Sequence, residues 1–286
     1  MSLSTDLTNE FGKGFSVDNL ERFRKFYLTY NNRISATVLR KSAIHLNSAI
    51  ALRNLKAPFQ LSWSHYVQLL KIEDEKERNF YEIESVKQNW SLNELKRQYH
   101  SSVYERLALS RDKKGIKAFA KKGQLIEKPT DVLKDPFVLE FLNLKEDYRY
   151  TESELETAII NKLEHSMLEL GKGFLFEGRQ RRFTFEAKHF FVDLVFYNRL
   201  LKCFVLFDLK IGELAHKDIG QMQMYVNFYD RQIKLPEENP TIGIILCKEE
   251  NKTVVEFTLP LENKQIFAKQ YKLYLPSKEE LKKQLK

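Results

Sequence analysis

The chain has 286 residues, of which 43% are hydrophobic and 30% are charged, so it can bury a large core and is not of the disordered class. It contains no run of about 18 apolar residues, which excludes a membrane-spanning helix. Its 2 cysteines, Cys203 and Cys247, lie in apolar runs and indicate buried thiols in a reducing cytoplasm rather than a secreted disulfide framework. We expect no signal peptide, because residues 1–15 have neither a basic leader nor an apolar stretch.

The first half of the chain carries all of the net charge of +8. Residues 1–135 hold 24 Lys and Arg against 16 Asp and Glu, whereas residues 136–286 hold 23 of each kind. A basic module can bind nucleic acid through its phosphates whatever the base sequence. The alternative is a basic but merely solvated surface, and charge alone does not decide between the two.

Helical spacing of apolar residues predicts an all-helical domain over residues 1–130. Ser16 precedes one predicted helix, a second basic helix is predicted over about residues 34–55, and Ser91 and Glu94 form a capping box before a later one. Short helices joined by tight turns, with a basic face, are typical of helix-turn-helix or winged-helix modules. Many other helical bundles share this pattern, so the fold of the domain alone does not establish DNA binding.

The hydrophobic period changes in the second half, which we assign to a second domain over residues 131–286. One helix is predicted over about residues 152–169, followed by three strand-like runs, a helix at about residues 216–230 and a buried strand at residues 241–247. This α-β-β-β-α-β order predicts an α/β domain with a mixed sheet.

Two aspartates stand inside the two most apolar strands. Asp193 lies in FFVDLVFY and Asp208 in CFVLFDLK, where an unpartnered carboxylate costs roughly several kcal/mol. If residues 199–202 form the loop, Asn198 pairs with Cys203 in a hairpin. The same register places Asp193 directly opposite Asp208, on one face of the sheet. A loop one residue longer would place the two acids on opposite faces.

A lysine lies on the same face as the two acids. Lys210 follows Asp208 by two residues and lies diagonal to Asp193. Two acids and one lysine suit a hard divalent cation with oxygen ligands, such as Mg²⁺. Such a metal can polarise a phosphate and lower the pKa of a bound water, while the lysine orients or activates the nucleophile. The alternative is a buried Asp–Lys salt bridge beside an unrelated acid.

These residues resemble the PD-(D/E)XK nuclease superfamily, whose mark is an acid on one strand and (D/E)-x-K on the next antiparallel strand. Here they are Asp193 and Asp208-Leu209-Lys210, with Val192 where the motif has proline and Asp208 where glutamate is commoner. The segments FGKGFSVDNLERFRKFY, LSWSHYVQLLKI, LKDPFVLEFL and LELGKGFLFEGRQ resemble the bacterial YhcG-like family. That family joins a helical N-terminal module to a PD-(D/E)XK domain.

The YhcG-like resemblance implies a helical DNA-binding domain followed by a restriction-endonuclease-like domain that cleaves DNA, branched or junction DNA included, with Mg²⁺ or Mn²⁺ as cofactor. It implies a homodimer by analogy, with further subunits of a DNA-processing complex as additional partners. The alternative is a catalytically inactive DNA-binding or assembly subunit of a DNA-processing or defence complex. Relatives usually carry a further helical stretch upstream of FGKGFS, so we expect a short or truncated member.

The resemblance also implies a glutamate on the helix before the strands and a glutamine on the helix after them. Glu154 fits a capping box with Thr151, so Glu156, beside the apolar stripe of the helix, is the expected metal or water ligand, with Glu152 in reserve. Gln221 is expected to orient Lys210 or the substrate. The alternatives are a solvated glutamate and a polar packing residue.

Weaker candidates for contacts to DNA are Arg179, Arg181, Arg182 and Tyr225. The arginines lie on or near the first strand of the second domain and could hold the phosphodiester backbone. They could equally protect an edge strand by their charge. The tyrosine follows Gln221 by one helical turn.

Overall fold

The computed structural model describes residues 2–44, 58–110, 119, 121–144 and 150–284. The chain divides into two compact units, Met1–Arg97 with Ala120–Gly123, and Gln98–Phe119 with Gln124–Lys286. The second unit therefore takes in residues that the sequence analysis assigned to the helical half. The domain boundary at residue 130 stays a prediction.

The described residues of the first unit form helices and the loops between them. The helices are α1 (Leu3–Phe11), α2 (Val17–Ile44), α3 (Trp63–Leu69), α4 (Glu75–Lys87) and α5 (Leu92–His100), the last of which continues into the second unit. The Ser16 hydroxyl accepts a hydrogen bond from the Asn19 amide at the start of α2. Ser91 and Glu94 accept hydrogen bonds from each other's backbone amides before α5. Both predicted helix starts are confirmed.

The helix α2 is longer than the sequence predicts. It runs through residue 34, the predicted start of a second helix, because the chain only kinks at Tyr30 (φ −114°, ψ 15°) and continues as a helix. That predicted start is therefore wrong, and residues 45–55 of the same prediction lie outside the described residues. An aromatic cluster packs at the kink, where the Phe26 ring lies 4.9, 5.1 and 5.3 Å from the rings of Tyr30, Phe59 and Tyr66.

A mixed sheet of 6 strands, in the order β1-β6-β5-β4-β3-β2, forms the second unit. The strands are β1 (Phe137–Val138), β2 (Phe174–Phe185), β3 (Lys188–Asn198), β4 (Cys203–Glu213), β5 (Ile242–Glu249) and β6 (Ile266–Lys272). The neighbours β2, β3 and β4 are antiparallel, whereas β4, β5, β6 and β1 are parallel. The predicted α/β domain with a mixed sheet is confirmed.

Helices cover both faces of this sheet. The described helices that lie wholly within the second unit are α6 (Val103–Leu109), α7 (Glu152–Asn161), α8 (Leu163–Leu170), α9 (His216–Phe228), α10 (Lys252–Thr258) and α11 (Lys278–Gln284). The single helix predicted over residues 152–169 is two helices, because Lys162 leaves the helical region with φ −118° and ψ 34°. Of the helices described, none combines the length and the apolar character that a bilayer span requires.

Two hydrophobic cores lie on opposite faces of the sheet. Leu155 of α7 packs with Phe207 and Leu209 of β4 in the first core. Met222 of α9 packs with Leu206 of β4 in the second core. Because side chains alternate along a strand, a strand that is covered on both faces must be apolar throughout. This explains the apolar runs at residues 203–207 of β4 and 242–247 of β5.

Candidate active site

The hairpin of β3 and β4 carries both aspartates. Residues 199–202 form its turn and Asn198 pairs with Cys203, so the predicted loop is confirmed, and the predicted register is confirmed for residues 194–198 but not for a direct Asp193–Asp208 pair. The ladder continues to Leu194, which pairs with Phe207, and ends there. The two aspartates therefore lie next to the last ladder pair, at the point where the strands separate.

Asp193 directs its carboxylate into the space where the ladder ends. Its Oδ2 accepts a hydrogen bond from the backbone amide of Leu209 at 2.8 Å. The amide of Leu209 thus donates to a side chain of the neighbouring strand. This bond keeps Asp193 at the edge of the opening between β3 and β4, next to Asp208.

Asp208 is buried and paired with a lysine. It is 1% exposed, and its Oδ2 lies 2.8 Å from the Nζ of Lys210. Burial raises the pKa of Asp208 against the opposing effect of Lys210, and the charges of Asp193 and Glu152 add to the increase. Burial alone would lower the pKa of Lys210, but the Asp208 carboxylate outweighs it and raises the pKa above its usual value. The lysine is therefore held as a cation among three acids.

The helix α7 contributes two glutamates, one turn apart. The Oε2 of Glu152 lies 3.5 Å from the Nζ of Lys210. Glu156 is 5% exposed, and its Oε2 accepts a hydrogen bond from Gln180. Burial raises the pKa of Glu156, while the Gln180 hydrogen bond acts in the opposite direction. Glu154, between them, is engaged in the helix cap as predicted.

Gln180 belongs to this site, although the sequence analysis did not identify it. The residues on either side of it in β2 pair with Leu194 and Val192, so Gln180 lies opposite Asp193. Its Nε2 donates to Asp193 Oδ1 at 3.2 Å and also to Glu156 Oε2. The only sequence signal is a glutamine facing an acid, and that signal requires the β2–β3 register, which was not predicted.

Gln221 and Tyr225 lie one turn apart on α9, and the Gln221 amide nitrogen donates a hydrogen bond to the Tyr225 hydroxyl. Tyr225 is 1% exposed and packs in the core beneath α9. Burial raises the pKa of Tyr225, and the charges of Asp208 and Asp193 add to the effect. The predicted DNA contact of Tyr225 needs correction, because a ring buried to this degree offers no surface to DNA. It is instead a packing residue beside the aspartates.

The three predicted arginines lie exposed on β2, which is an edge strand of the sheet. Arg181 forms an ion pair with Glu177, with 3.0 Å between Nε and Oε2. The charge of Arg179 counteracts the increase in the pKa of Glu156, so this arginine lies near the acids. Arg179 and Arg182 are exposed cations on the strand that carries Gln180.

The acids of the site supply oxygen ligands that suit a hard divalent cation such as Mg²⁺. Within the described part of the chain, no three His, Cys, Asp or Glu side chains are gathered as a metal-binding group. Asp193, Asp208 and Glu156 nevertheless supply the oxygen donors that Mg²⁺ prefers, and Mg²⁺ usually takes one or two carboxylates together with waters and substrate phosphates. The donor chemistry therefore fits a cation whose ligand shell the substrate completes, and not a closed protein cage.

Residues 130–286 match the family described as the YhcG PDDEXK nuclease domain, and residues 1–106 match the DUF1016 N-terminal domain. The chain belongs to the YhcG family of PDDEXK nucleases. It is 38% identical over 294 residues to the Escherichia coli (strain K12) protein named Putative nuclease YhcG, an alignment covering 99% of this chain and 78% of that protein. The crystal structure of a repair endonuclease from Pyrococcus abyssi is 18% identical, with a TM-score of 0.29 over 46% of this chain and 50% of that one.

Membership of the YhcG family confirms the resemblance drawn from the sequence segments. All of the acids described above, together with Lys210 and Gln180, lie within the residues that match the PDDEXK nuclease domain. The chain therefore contains a nuclease domain of this family.

Proposed function

We propose that this chain is a Mg²⁺-dependent endonuclease that hydrolyses phosphodiester bonds in DNA. The observation that carries the proposal is the meeting of Asp193, Asp208 and Lys210 where β3 and β4 separate, with Glu156 of α7 beside them. Buried carboxylates with a single lysine need a further cation or a change of protonation to be stable. A divalent ion would supply the positive charge that Lys210 alone does not provide.

The roles follow from the positions of the side chains. Asp193 and Asp208 would hold the divalent cation with help from Glu156. When bound, such a cation polarises the phosphate and lowers the pKa of a water. Lys210, whose side chain is 14% exposed and fixed by Asp208, would position the attacking water for in-line attack. Gln221 would orient Lys210 or the substrate from α9.

The substrate in this proposal is DNA, held by the basic helical domain over residues 1–130. That half of the chain carries the excess positive charge, which suits contacts to phosphates along a duplex or a four-way junction. A homodimer would cut both DNA strands, since two cuts need two sites. Other subunits of a DNA-processing complex are the further partners in this proposal. Free, buried thiols at Cys203 and Cys247 are consistent with a cytoplasmic protein.

The proposal is tested by cleavage assays with Mg²⁺ or Mn²⁺ on linear, nicked and four-way DNA, with RNA of the same sequence as a comparison. Lys210→Ala is expected to reduce the rate roughly 100-fold or more, because misplacing a reacting group by about 1 Å can cost about 100-fold. Lys217→Ala, an exposed lysine at the start of α9, is the matched control and should cleave like the wild type. Equal activity of Lys210→Ala and the wild type would refute the catalytic role.

An inactive DNA-binding or assembly subunit is the second candidate. It is favoured by the lack of a ready metal-binding group among the described side chains. It predicts DNA binding that is sensitive to salt but unchanged by EDTA, with no cleavage under any metal condition. The intact set of Asp193, Asp208 and Lys210 favours the enzyme, because an inactive domain has no need of a buried acid and a partly buried acid beside a lysine.

A further inference from the structure

Gln180 adopts a backbone conformation that residues with side chains seldom adopt. Its φ is +47°, in the left-handed region, although its neighbours on both sides pair regularly with β3. Glycine occupies this region without steric conflict, whereas a glutamine there is strained. Strained residues persist where the surrounding structure or the function requires them. Glycine would adopt this backbone conformation with less strain, so the presence of a glutamine side chain at residue 180 needs a separate explanation.

The side chain connects two structural elements through one atom. The Nε2 of Gln180 has two hydrogens and donates to two carboxylates, Glu156 on α7 and Asp193 on β3. Glu156 and Asp193 repel one another, since the charge of Asp193 helps to raise the pKa of Glu156. The amide opposes that repulsion and keeps an oxygen of each acid directed at a common point.

We infer that Gln180 is a positioning residue that brings the helix glutamate Glu156 to the strand aspartate Asp193, so that both can serve one cation. This inference rests on the proposed function. Gln180 acts through Glu156 and Asp193 rather than on the substrate. Outer partners that orient metal ligands typically change metal affinity 10- to 100-fold when they are removed.

The decisive comparison is between Gln180→Gly and Gln180→Ala in the full chain. Both variants remove the amide, but glycine also relieves the left-handed strain that alanine keeps. Calorimetric titration with Mn²⁺ alone is expected to show binding about tenfold weaker in both variants. Thermal unfolding should show Gln180→Gly at least as stable as Gln180→Ala. If the residue served only the shape of the strand, Gln180→Gly would bind Mn²⁺ like the wild type, and the inference would be wrong.

A double-variant cycle separates positioning from an independent effect. Glu156→Gln alone should weaken Mn²⁺ binding, and adding Gln180→Gly to it should weaken binding by less than the product of the two single effects. Fully multiplicative effects would contradict the inference. Gln180→Asn keeps an amide and tolerates the left-handed backbone, so it should bind Mn²⁺ with an affinity between those of Gln180→Gly and the wild type.

Asp208→Asn distinguishes failure of this inference from failure of the proposed function. If the wild type binds no Mn²⁺, or if Asp208→Asn leaves Mn²⁺ binding unchanged, the proposed metal site is wrong and the inference falls with it. If Asp208→Asn abolishes binding while Gln180→Gly binds like the wild type, the metal site stands and only the positioning role is wrong.

Discussion

The guanidinium of Arg106 on α6 donates hydrogen bonds to both carboxylate oxygens of Glu169 on α8, and Arg106 is 0% exposed. The same guanidinium donates to the carbonyl oxygen of Pro136 at 3.1 Å, and the amide of Val138 donates to Glu169 at 2.9 Å. Lys134 lies 3.7 Å from the Glu169 carboxylate. The helix α6 is therefore built into the nuclease domain, although the family match to that domain begins at residue 130.

This network predicts where the nuclease domain can be cut from the chain. A fragment of residues 98–286 is expected to fold, whereas residues 131–286 should not, because loss of Arg106 leaves Glu169 buried without its main partner. Breaking a buried ion pair costs about 3–5 kcal/mol, which is a large part of the stability of a domain this size. Circular dichroism and urea unfolding of both fragments would check this. Cooperative unfolding of the shorter fragment with unchanged stability would contradict it.

The Arg106–Glu169 ion pair also predicts how the stability of the fold depends on pH. Burial would raise the pKa of Glu169, but Arg106 and Lys134 outweigh it and hold the pKa below the usual value of 4.5. Because the folded pKa is below the unfolded one, the ionised carboxylate favours folding above about pH 4.5, and this contribution is lost as the pH falls further.

As the pH falls below about 4.5, the wild type should therefore lose stability more steeply than Glu169→Gln, which is less stable at pH 7 but lacks this titration. The midpoint of urea unfolding at each pH measures the effect. Glu164→Gln, an exposed glutamate on the same helix, is the control and should follow the wild-type curve. Parallel curves for the wild type and Glu169→Gln would show that the carboxylate does not titrate as proposed.

Three glutamates on α7 should differ sharply in their effect on cleavage. Glu156→Gln should reduce the rate roughly 10- to 100-fold, because Glu156 is buried and joined to Asp193 through Gln180. Glu152→Gln should reduce it by no more than about fivefold, since a partly exposed ion pair with Lys210 contributes about 1 kcal/mol or less.

Glu154→Gln is the control on the same helix. It should lower the melting temperature slightly through the helix cap and leave the cleavage rate unchanged. Steady-state rates on one DNA substrate, with melting temperatures of all three variants, would check this order. A larger loss of rate in Glu152→Gln than in Glu156→Gln would make Glu152 the functional glutamate.

The hairpin that carries the aspartates could be predicted from the sequence because its signals are local. A short polar turn between two apolar runs fixes the register, and Asn198 pairs with Cys203 as expected. The capping box at Thr151 is equally local and correctly removes Glu154 from the candidates for the site. Asp193, Asp208 and Lys210 follow from the hairpin signal alone.

The remaining parts of the site depend on contacts that the sequence does not specify locally. Gln180 was missed because the pairing of β2 with β3 shifts at a bulge between Phe176 and Gly178, and no apolar pattern marks that shift. The Arg106–Glu169 pair was missed because its partners lie far apart in sequence on separate helices. The hydrogen bond from the Leu209 amide to Asp193, beyond the last ladder pair, likewise has no local sequence signal.

The arginines of β2 should differ in their contribution to DNA binding. Arg179 and Arg182 are exposed, whereas Arg181 is engaged by Glu177. Each arginine that contacts a phosphate releases about one counterion, so Arg179→Ala and Arg182→Ala should each lower the slope of log affinity against log salt by about 1.

Arg181→Ala is the control and should leave the slope unchanged, because the charge of Arg181 is already paired with that of Glu177. Fluorescence anisotropy with a labelled duplex from about 50 to 200 mM salt measures the slopes. Equal slopes in all three variants and the wild type would assign these arginines to the protection of an edge strand instead.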